Sequence, residues 1–257
     1  MKIVFIGAGN LATSLAKAMQ SCGLNICQVY SRTPESASSL AQTLRCPWTT
    51  SIEEVKNDAN WYIFSVKDDA LEELISRLKP NNGLWLHTAG SMSTTIFEGF
   101  TSRYGVIYPL QTFSKQRSVD FSNIPFILEA NNPEDLRTMK EITGRLTNDV
   151  HILNSEARKQ IHLAAVFACN FANHMWTLAW QLLEDKQIPP GILFPLIKET
   201  AAKLKEMPPR KAQTGPAVRY DKKVIDKHLQ MLDNESLKTI YRLLSQSIHE
   251  TEKKSNE

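Results

Sequence analysis

The sequence lacks any long hydrophobic run. It holds no stretch of about 18 uncharged apolar residues, the length a membrane span requires. The apolar start Ile3-Val4-Phe5-Ile6 stops at Gly7, far short of a signal-peptide core. Cysteine is scarce: the four, at 22, 27, 46 and 169, include no C-x-x-C pair. That excludes a zinc site and a small disulfide framework and fits a reducing compartment, so a cytoplasmic protein is expected. Glycine (10) and proline (12) are too few for a collagen-like or low-complexity chain. Charge of one sign hardly dominates, with 30 basic and 27 acidic side chains giving +3. No dense basic stripe is present to read phosphates, so nucleic acid is not an expected partner. What is there is ordinary: 42% hydrophobic and 22% charged residues over 257 positions, which excludes a disordered chain. Such a length accommodates one large or two modest domains.

Residues 1–153 alternate short apolar runs with helical patterns. Strands are expected at Ile3–Ile6, Ile26–Tyr30, Trp61–Val66, Leu84–His87, Val106–Tyr108, Pro125–Leu128 and Val150–Leu153, with helices at 11–22, 34–44 and 68–78. Continuous apolar runs fit strands buried on both faces, and their alternation with helices predicts a mainly parallel, doubly wound sheet. After Leu153 the strand signal ends. Asn154-Ser155 offers a helix cap, and an apolar-rich helix can run to Glu184. A second helix starts at Pro189-Pro190 and reaches Lys205, a loop spans Met207 to Tyr220, and helices follow near 221–232 and 235–251. The polar end from Glu250 to Glu257 reads as a frayed tail. The expected architecture is α/β: a Rossmann-like nucleotide domain, 1–153, then an all-α domain, 154–257, for substrate binding and dimerisation.

The strongest motif opens the chain. Strand, Gly7-x-Gly9-x-x-Ala12, helix is the dinucleotide-binding arrangement. Gly7 makes the tight turn, Gly9 lets the backbone approach a pyrophosphate, and Ala12 permits close helix–strand packing. Asn10, Leu11 and Ala12 open the helix, whose free N–H groups and dipole suit phosphates. At the end of the second strand an NAD site would carry Asp or Glu; here stand Ser31, Arg32 and Thr33. Arg32 can pair with a 2′-phosphate that a carboxylate would repel, so NADP is the expected cofactor. Ser65, Val66 and His87 lie at the ends of later strands, where such sheets bind ligands. His87 is open to two readings, a donor to cofactor or substrate, or a packed cap in its loop.

Polar groups embedded in the long helix, Lys159, His162, Asn170, Asn173 and His174, need partners from protein, ligand or a second subunit. On a regular 3.6-residue helix His162 and Asn173 share a face and Asn170 lies about 80° away. The same helix is apolar nearly all round, which predicts a homodimer with the active site in the cleft between domains. No metal site is expected.

The motifs IGAGNLA at 6–12, HTAGS at 87–91, YPLQTF at 108–113, HLAAVFACNF at 162–171 and QTGPAVRYD at 213–221 resemble a bacterial NADP oxidoreductase family. Its members join a Rossmann-like domain to a helical domain of unknown function. It is similar more distantly to pyrroline-5-carboxylate reductase, deazaflavin-dependent NADP reductase, and the β-hydroxyacid and 6-phosphogluconate dehydrogenases. The chain departs from the family at Lys67, where Pro is common, at Tyr108, where His is common, and at Tyr220, where Gly is common. The change at 108 puts a catalytic acid at that position in doubt. The resemblance to the hydroxyacid dehydrogenases implies His162 as proton donor, Asn170 as a substrate-orienting group, and Lys159, one turn earlier, as the rival donor. Thr214 and Arg219 are the expected substrate-binding residues. The expected activity is NADPH-dependent reduction of a small carbonyl or imine compound. The alternatives are a non-catalytic NADP(H) sensor or scaffold, and a reductase exchanging hydride with a deazaflavin or flavin.

Overall fold

The computed structural model describes residues 1–253. Residues Met1–Trp176 form one compact unit and those from Thr177 onward a second.

The first unit is built on eight strands: β1 (Lys2–Ile6), β2 (Asn25–Tyr30), β3 (Trp48–Thr49), β4 (Trp61–Phe64), β5 (Leu84–His87), β6 (Tyr104–Pro109), β7 (Phe126–Ala130) and β8 (Val150–Ile152). They lie in the order β3-β2-β1-β4-β5-β6-β7-β8. The first six are parallel and wound as in dinucleotide-binding sheets, with the switch in order between β1 and β4. Helices α1 (Asn10–Ser21), α2 (Pro34–Leu44), α3 (Asp68–Arg77) and α4 (Pro133–Thr143) make the covering layers.

Alternate residues of each strand feed two different cores, which is why the strands read as unbroken apolar runs. Ile3, Phe5, Ile63 and Leu86 pack with Leu15 and Met19 of α1 and Leu40 of α2. Val4, Ile6, Phe64 and Trp85 face the other way, onto Leu71, Leu74 and Ile75 of α3 and onto Phe97. Burying one such side chain fully contributes on the order of 1.5–3 kcal/mol.

The last two strands run the other way: β7 is antiparallel to β6, and β8 is parallel to β7. The cause lies in the connection. Residues 110–125 between β6 and β7 contain a single short 3₁₀ turn, Phe121–Asn123, and no crossover helix, so the chain returns beside the strand it has just left. As a result β8 ends at the edge of the sheet opposite the nucleotide-binding loops. The following helix α5 (Ser155–Ala165), capped by Asn154, whose side chain accepts from the Ala157 N–H at 2.9 Å, therefore starts at that far edge.

Helix α5 passes through a π-helical segment, Val166–Phe171, into α6 (Ala172–Glu184). The expected single helix is present, but the wider turn shifts every later side chain around the axis. Faces counted at 3.6 residues per turn, such as His162 with Asn173, do not carry across it. In the first unit, α4 and the two-residue β3 lie outside the sequence expectation.

In the second unit Pro190–Leu193 is a 3₁₀ turn leading into α7 (Phe194–Ala202). The expected loop from Met207 contains a short helix, α8 (Pro209–Ala212). Helices α9 (Lys222–Gln230) and α10 (Glu235–Lys253) follow. Helix α10 runs into the stretch expected to fray; the rest of that tail lies outside the described residues.

Candidate active site

The loop Gly7-Ala8-Gly9 joins β1 to α1 and is held from both sides. Gly7 has φ of +118°, and a Cβ on it would be driven into the Ser65 carbonyl and stand 3.0 Å from the Val66 side chain. Its N–H donates to the Tyr30 carbonyl at 2.7 Å. Only glycine satisfies both the torsion and the contact. Helix α1 begins with no side-chain cap, and its first intrahelical bond from outside runs from the Thr13 N–H to the Gly9 carbonyl. The amides of Asn10, Leu11 and Ala12 are thus left for a ligand. A Cβ on Gly9 would meet nothing within 4 Å, so the space before the helix is open, while Ala12 is wholly buried. This cradle of free amides fits the pyrophosphate of a dinucleotide.

Beyond β2, Ser31 is half-buried, Arg32 and Thr33 are exposed, and Thr33 immediately precedes α2. The Arg32 side chain makes no hydrogen bond or ion pair among the described residues. At the ends of β4 and β5, Thr88 Oγ1 donates to Ser65 Oγ at 3.2 Å, tying the two loops together. His87 is packed within its loop, with its buried Nε2 left without a partner among the described residues. Its side chain is fully buried, its ring lies 5.7 Å from that of Phe97, and Nδ1 accepts from the Ala89 N–H at 3.1 Å. Burial, aided by the nearby Arg158 charge, pushes its pKa down to about 3, so the imidazole is uncharged and cannot serve as an anion-binding cation.

Helix α5 climbs from the far edge of the sheet toward these loops. Its first turn is anchored by Arg158, which is completely buried and bonds the Glu129 carboxylate of β7, the Met92 carbonyl and, at 3.2 Å, Ser155 Oγ. One turn on, His162 Nδ1 lies 3.1 Å from the hydroxyl of Tyr108 on β6. A Cβ on Gly90 would stand 2.6 Å from the Cγ and Nδ1 of His162, so the ring rests directly on that glycine. Lys159 is engaged elsewhere, its amine 2.8 Å from Glu156.

Tyr108, whose departure from the family's common His had put a catalytic acid there in doubt, was not among the expected site residues. Its partner is 54 positions away, and only the recurrence of both residues in marked motifs, YPLQTF and HLAAVFACNF, hinted at a link.

Further up the helix, Asn170 in the π-helical turn, with Cys169, Asn173 and Trp176, lines a cavity of about 810 Å³. The opposite wall is the loop after β6, including Gln111, Thr112 and Arg117. The same two stretches of chain that bring Tyr108 to His162 therefore diverge to form the cavity. A larger one, about 890 Å³, lies where β1, β4 and β5 begin, among Asn57–Trp61 and Asn81–Gly83, away from all these groups. Among the described residues, no three His, Cys, Asp or Glu side chains converge as for a metal ion, and no helix is long and apolar enough to cross a membrane.

In the second unit Thr214 and Arg219 are exposed on the turn before α9. That turn closes on Tyr220, which has φ of +51° and stacks on His249 at 4.6 Å, with His249 Nδ1 3.2 Å from the Val218 carbonyl. A left-handed backbone at a residue bearing a Cβ costs on the order of 1–2 kcal/mol.

Residues 2–85 match the family model described as NADP oxidoreductase coenzyme F420-dependent, and residues 124–248 the one described as Domain of unknown function (DUF2520). No curated protein matches the chain. Among solved structures, a Bacteroides fragilis protein classed by inference as an NADP oxidoreductase is 50% identical, with 97% of this chain and 98% of that chain covered and a TM-score of 0.92. The reductive aminase of Aspergillus terreus, in complex with NADPH and ethyl levulinate, is 16% identical over 97% of this chain and 94% of its own, with a TM-score of 0.71. The 1-pyrroline-5-carboxylate reductase of Streptococcus pyogenes is 15% identical over 99% and 98%, with a TM-score of 0.64. The last two likenesses are likenesses of fold.

Proposed function

The chain belongs to the NADP oxidoreductase family represented by its Bacteroides fragilis relative, and we propose that it is a reductase acting on the C=O or C=N bond of a small molecule. The observation that carries this reading is a chain of contacts from the nucleotide loop to a histidine. Gly7 abuts Ser65, Ser65 bonds Thr88, and two residues later Gly90 abuts His162. A cofactor seated on the α1 amides and a proton source at His162 would then share one edge of the sheet.

NADPH, when bound, supplies the hydride; the chain supplies binding, orientation and a proton. The amides of Asn10, Leu11 and Ala12 would hold the pyrophosphate, and Arg32, with Ser31 and Thr33, the 2′-phosphate. His162 would give its proton to the oxygen or nitrogen of the bond being reduced. Asn170 would orient the substrate in the cavity beside it. Lys159, tied to Glu156, is the weaker candidate for the donor. On this reading residues 1–153 are the cofactor-binding part and the remainder serves substrate binding and dimerisation.

Exchange of hydride with a deazaflavin is the second reading, favoured by the coenzyme F420 in the name of one matched family. That match ends at residue 85, before Tyr108 and His162. A panel of keto acids, ketones, cyclic imines and coenzyme F420, scored for NADPH oxidation, decides between the two. With a carbonyl or imine as substrate, His162→Gln should lower kcat by about 10²–10⁴-fold and leave NADPH affinity unchanged. Normal turnover in that variant would remove His162 from the mechanism, and oxidation by coenzyme F420 alone would establish the second reading.

A further inference from the structure

Two elements fix the His162 imidazole. Gly90, after β5, leaves no room for a side chain beneath the ring. Tyr108, on β6, meets it edge-on, with centroids 6.1 Å apart, planes at 75° and the hydroxyl 3.1 Å from Nδ1.

The direction of that hydrogen bond follows from counting donors. Neutral imidazole has one N–H and one bare nitrogen. If Nδ1 carried the proton and gave it to the phenol oxygen, the Tyr108 hydroxyl proton would need another acceptor. Tyr108 is buried, and no other acceptor for it exists among the described residues. A buried donor left unpaired costs about 1–3 kcal/mol. With Tyr108 donating to Nδ1, that cost disappears and the ring proton must sit on Nε2, which has no partner among the described residues.

A neutral imidazole cannot give up its Nε2 proton alone, because imidazolate would remain. The Tyr108 hydroxyl, on the same hydrogen bond, carries a second proton. Burial raises the pKa of the Tyr108 hydroxyl, and the buried Arg158 guanidinium, one helical turn before His162, pulls it part of the way back. Even with its pKa raised, a phenol is more acidic than the alcohol formed when an alkoxide-like oxygen takes a proton, so the Tyr108 proton stays usable.

We propose that Tyr108 is the positioning residue and proton reserve behind His162. Its O–H donates to Nδ1, holds the ring in the Nε2–H form, and replaces at Nδ1 the proton that leaves from Nε2. Resting on the reductase reading, the step balances. Hydride from NADPH goes to the substrate carbon, and the Nε2 proton goes to the substrate oxygen or nitrogen. The Tyr108 proton moves to Nδ1, and the Arg158 charge, which favours the deprotonated phenol, offsets part of the burial cost of the phenolate left behind. After product leaves, a proton taken from water at Nε2 reverses the relay.

The test begins with ¹⁵N NMR of the neutral His162 ring in the full-length protein, assigned by the signal lost in His162→Gln. A protonated Nε2 and a hydrogen-bonded, bare Nδ1 support the proposal; a proton on Nδ1 overturns it. This measurement needs no substrate. Tyr108→Phe keeps the ring and removes only the hydroxyl. The Nδ1 signal should move to that of an unbonded nitrogen, and kcat should fall at least tenfold with KM and NADPH affinity within twofold. Tyr108→His, which restores a ring N–H donor, should recover part of kcat. Full kcat in Tyr108→Phe overturns the relay and leaves His162 as a lone donor. Failure of the reductase reading looks different, since no carbonyl or imine would then support NADPH oxidation in the parent protein, while the ¹⁵N result on the ring would be unaffected.

Discussion

Arg158 and Glu129 form an ion pair in which the arginine has no exposed surface and the carboxylate keeps 17% of its own. The pair joins the first turn of α5 to β7, and Arg158 also bonds the Met92 carbonyl beyond β5. One buried guanidinium thus fixes the helix against two parts of the sheet, and His162 inherits its position from that joint. Near the protein edge such a helix would otherwise rest on few apolar contacts, chiefly Ile161 against Val106, Tyr108 and Ile127.

Glu129→Gln should therefore destabilise the protein by about 3–5 kcal/mol, because it strands a buried charge. Urea unfolding reads this directly. Replacing both partners, Arg158→Met with Glu129→Gln, should cost less than Glu129→Gln alone. A loss under 1 kcal/mol in the single variant would show that water reaches Arg158 and that the joint is not dry.

His87 gives the protein an acid-sensitive stability. In the unfolded chain it binds a proton below about 6.5, whereas in the fold it stays neutral down to about 3. Its depressed pKa therefore contributes stability that is complete above pH 6.5 and is lost as pH falls toward 3. The slope is at most about 1.4 kcal/mol per pH unit. His87→Asn keeps an acceptor for the Ala89 N–H and removes the titration. Unfolding at pH 7.5 and pH 5.0 should differ less in the variant than in the parent; equal differences would refute the assignment.

The strands were legible because burial on both faces leaves unbroken apolar runs, as at Trp61–Phe64 and Leu84–His87. Their direction was not, since a strand's composition is the same either way; the helix-free connection from Leu110 to Pro125 reverses β7. Gly7, Gly9 and Ala12 were legible because backbone geometry at that turn admits few residues. Arg158 was not: between Ala157 and Lys159 it reads as surface, and only its pairing with Glu129, 29 positions away, explains its burial. The π-helical turn is equally silent, because the apolar pattern of Val166–Phe171 suits an α-helix as well.

The proposed site assigns the choice of cofactor to Arg32. NADPH should bind more tightly than NADH, and Arg32→Ala should cost NADPH about 1.5–3 kcal/mol, the scale of a hydrogen bond to a charged group, with little change for NADH. Competitive titration of the two nucleotides measures both. Equal losses for NADPH and NADH would remove Arg32 from contact with the 2′-phosphate.

The long helix carries Leu163, Phe167, Phe171 and Trp176 at 42% exposure or more. A helix this apolar on its outer side is expected to be covered by a second copy of the chain, with about 1,200–2,000 Å² buried or more if the pair is obligate. Light scattering at low micromolar concentration should give twice the chain mass of 29.1 kDa. A mass equal to one chain would reject the dimer, and Phe167→Glu should halve the mass if the face is the right one.

The π-helical turn has a consequence of its own. Such a turn holds one residue more than the α-helix it interrupts. Deleting Ala168 would let the rod close as regular α-helix, and because the widened turn takes up its extra residue without adding rotation, the later side chains would keep their bearing relative to Arg158 and His162. Asn173 and Trp176 would stay on the cavity wall, as would the ion pair and the tyrosine–histidine contact upstream, while the wall at Asn170 would lose its bulge. The turn therefore works as a slack link. On the proposed reading one half of the rod serves proton delivery and the other selection; a one-residue deletion in the turn keeps both in register, whereas one in the regular helix on either side would swing them apart by about 100°.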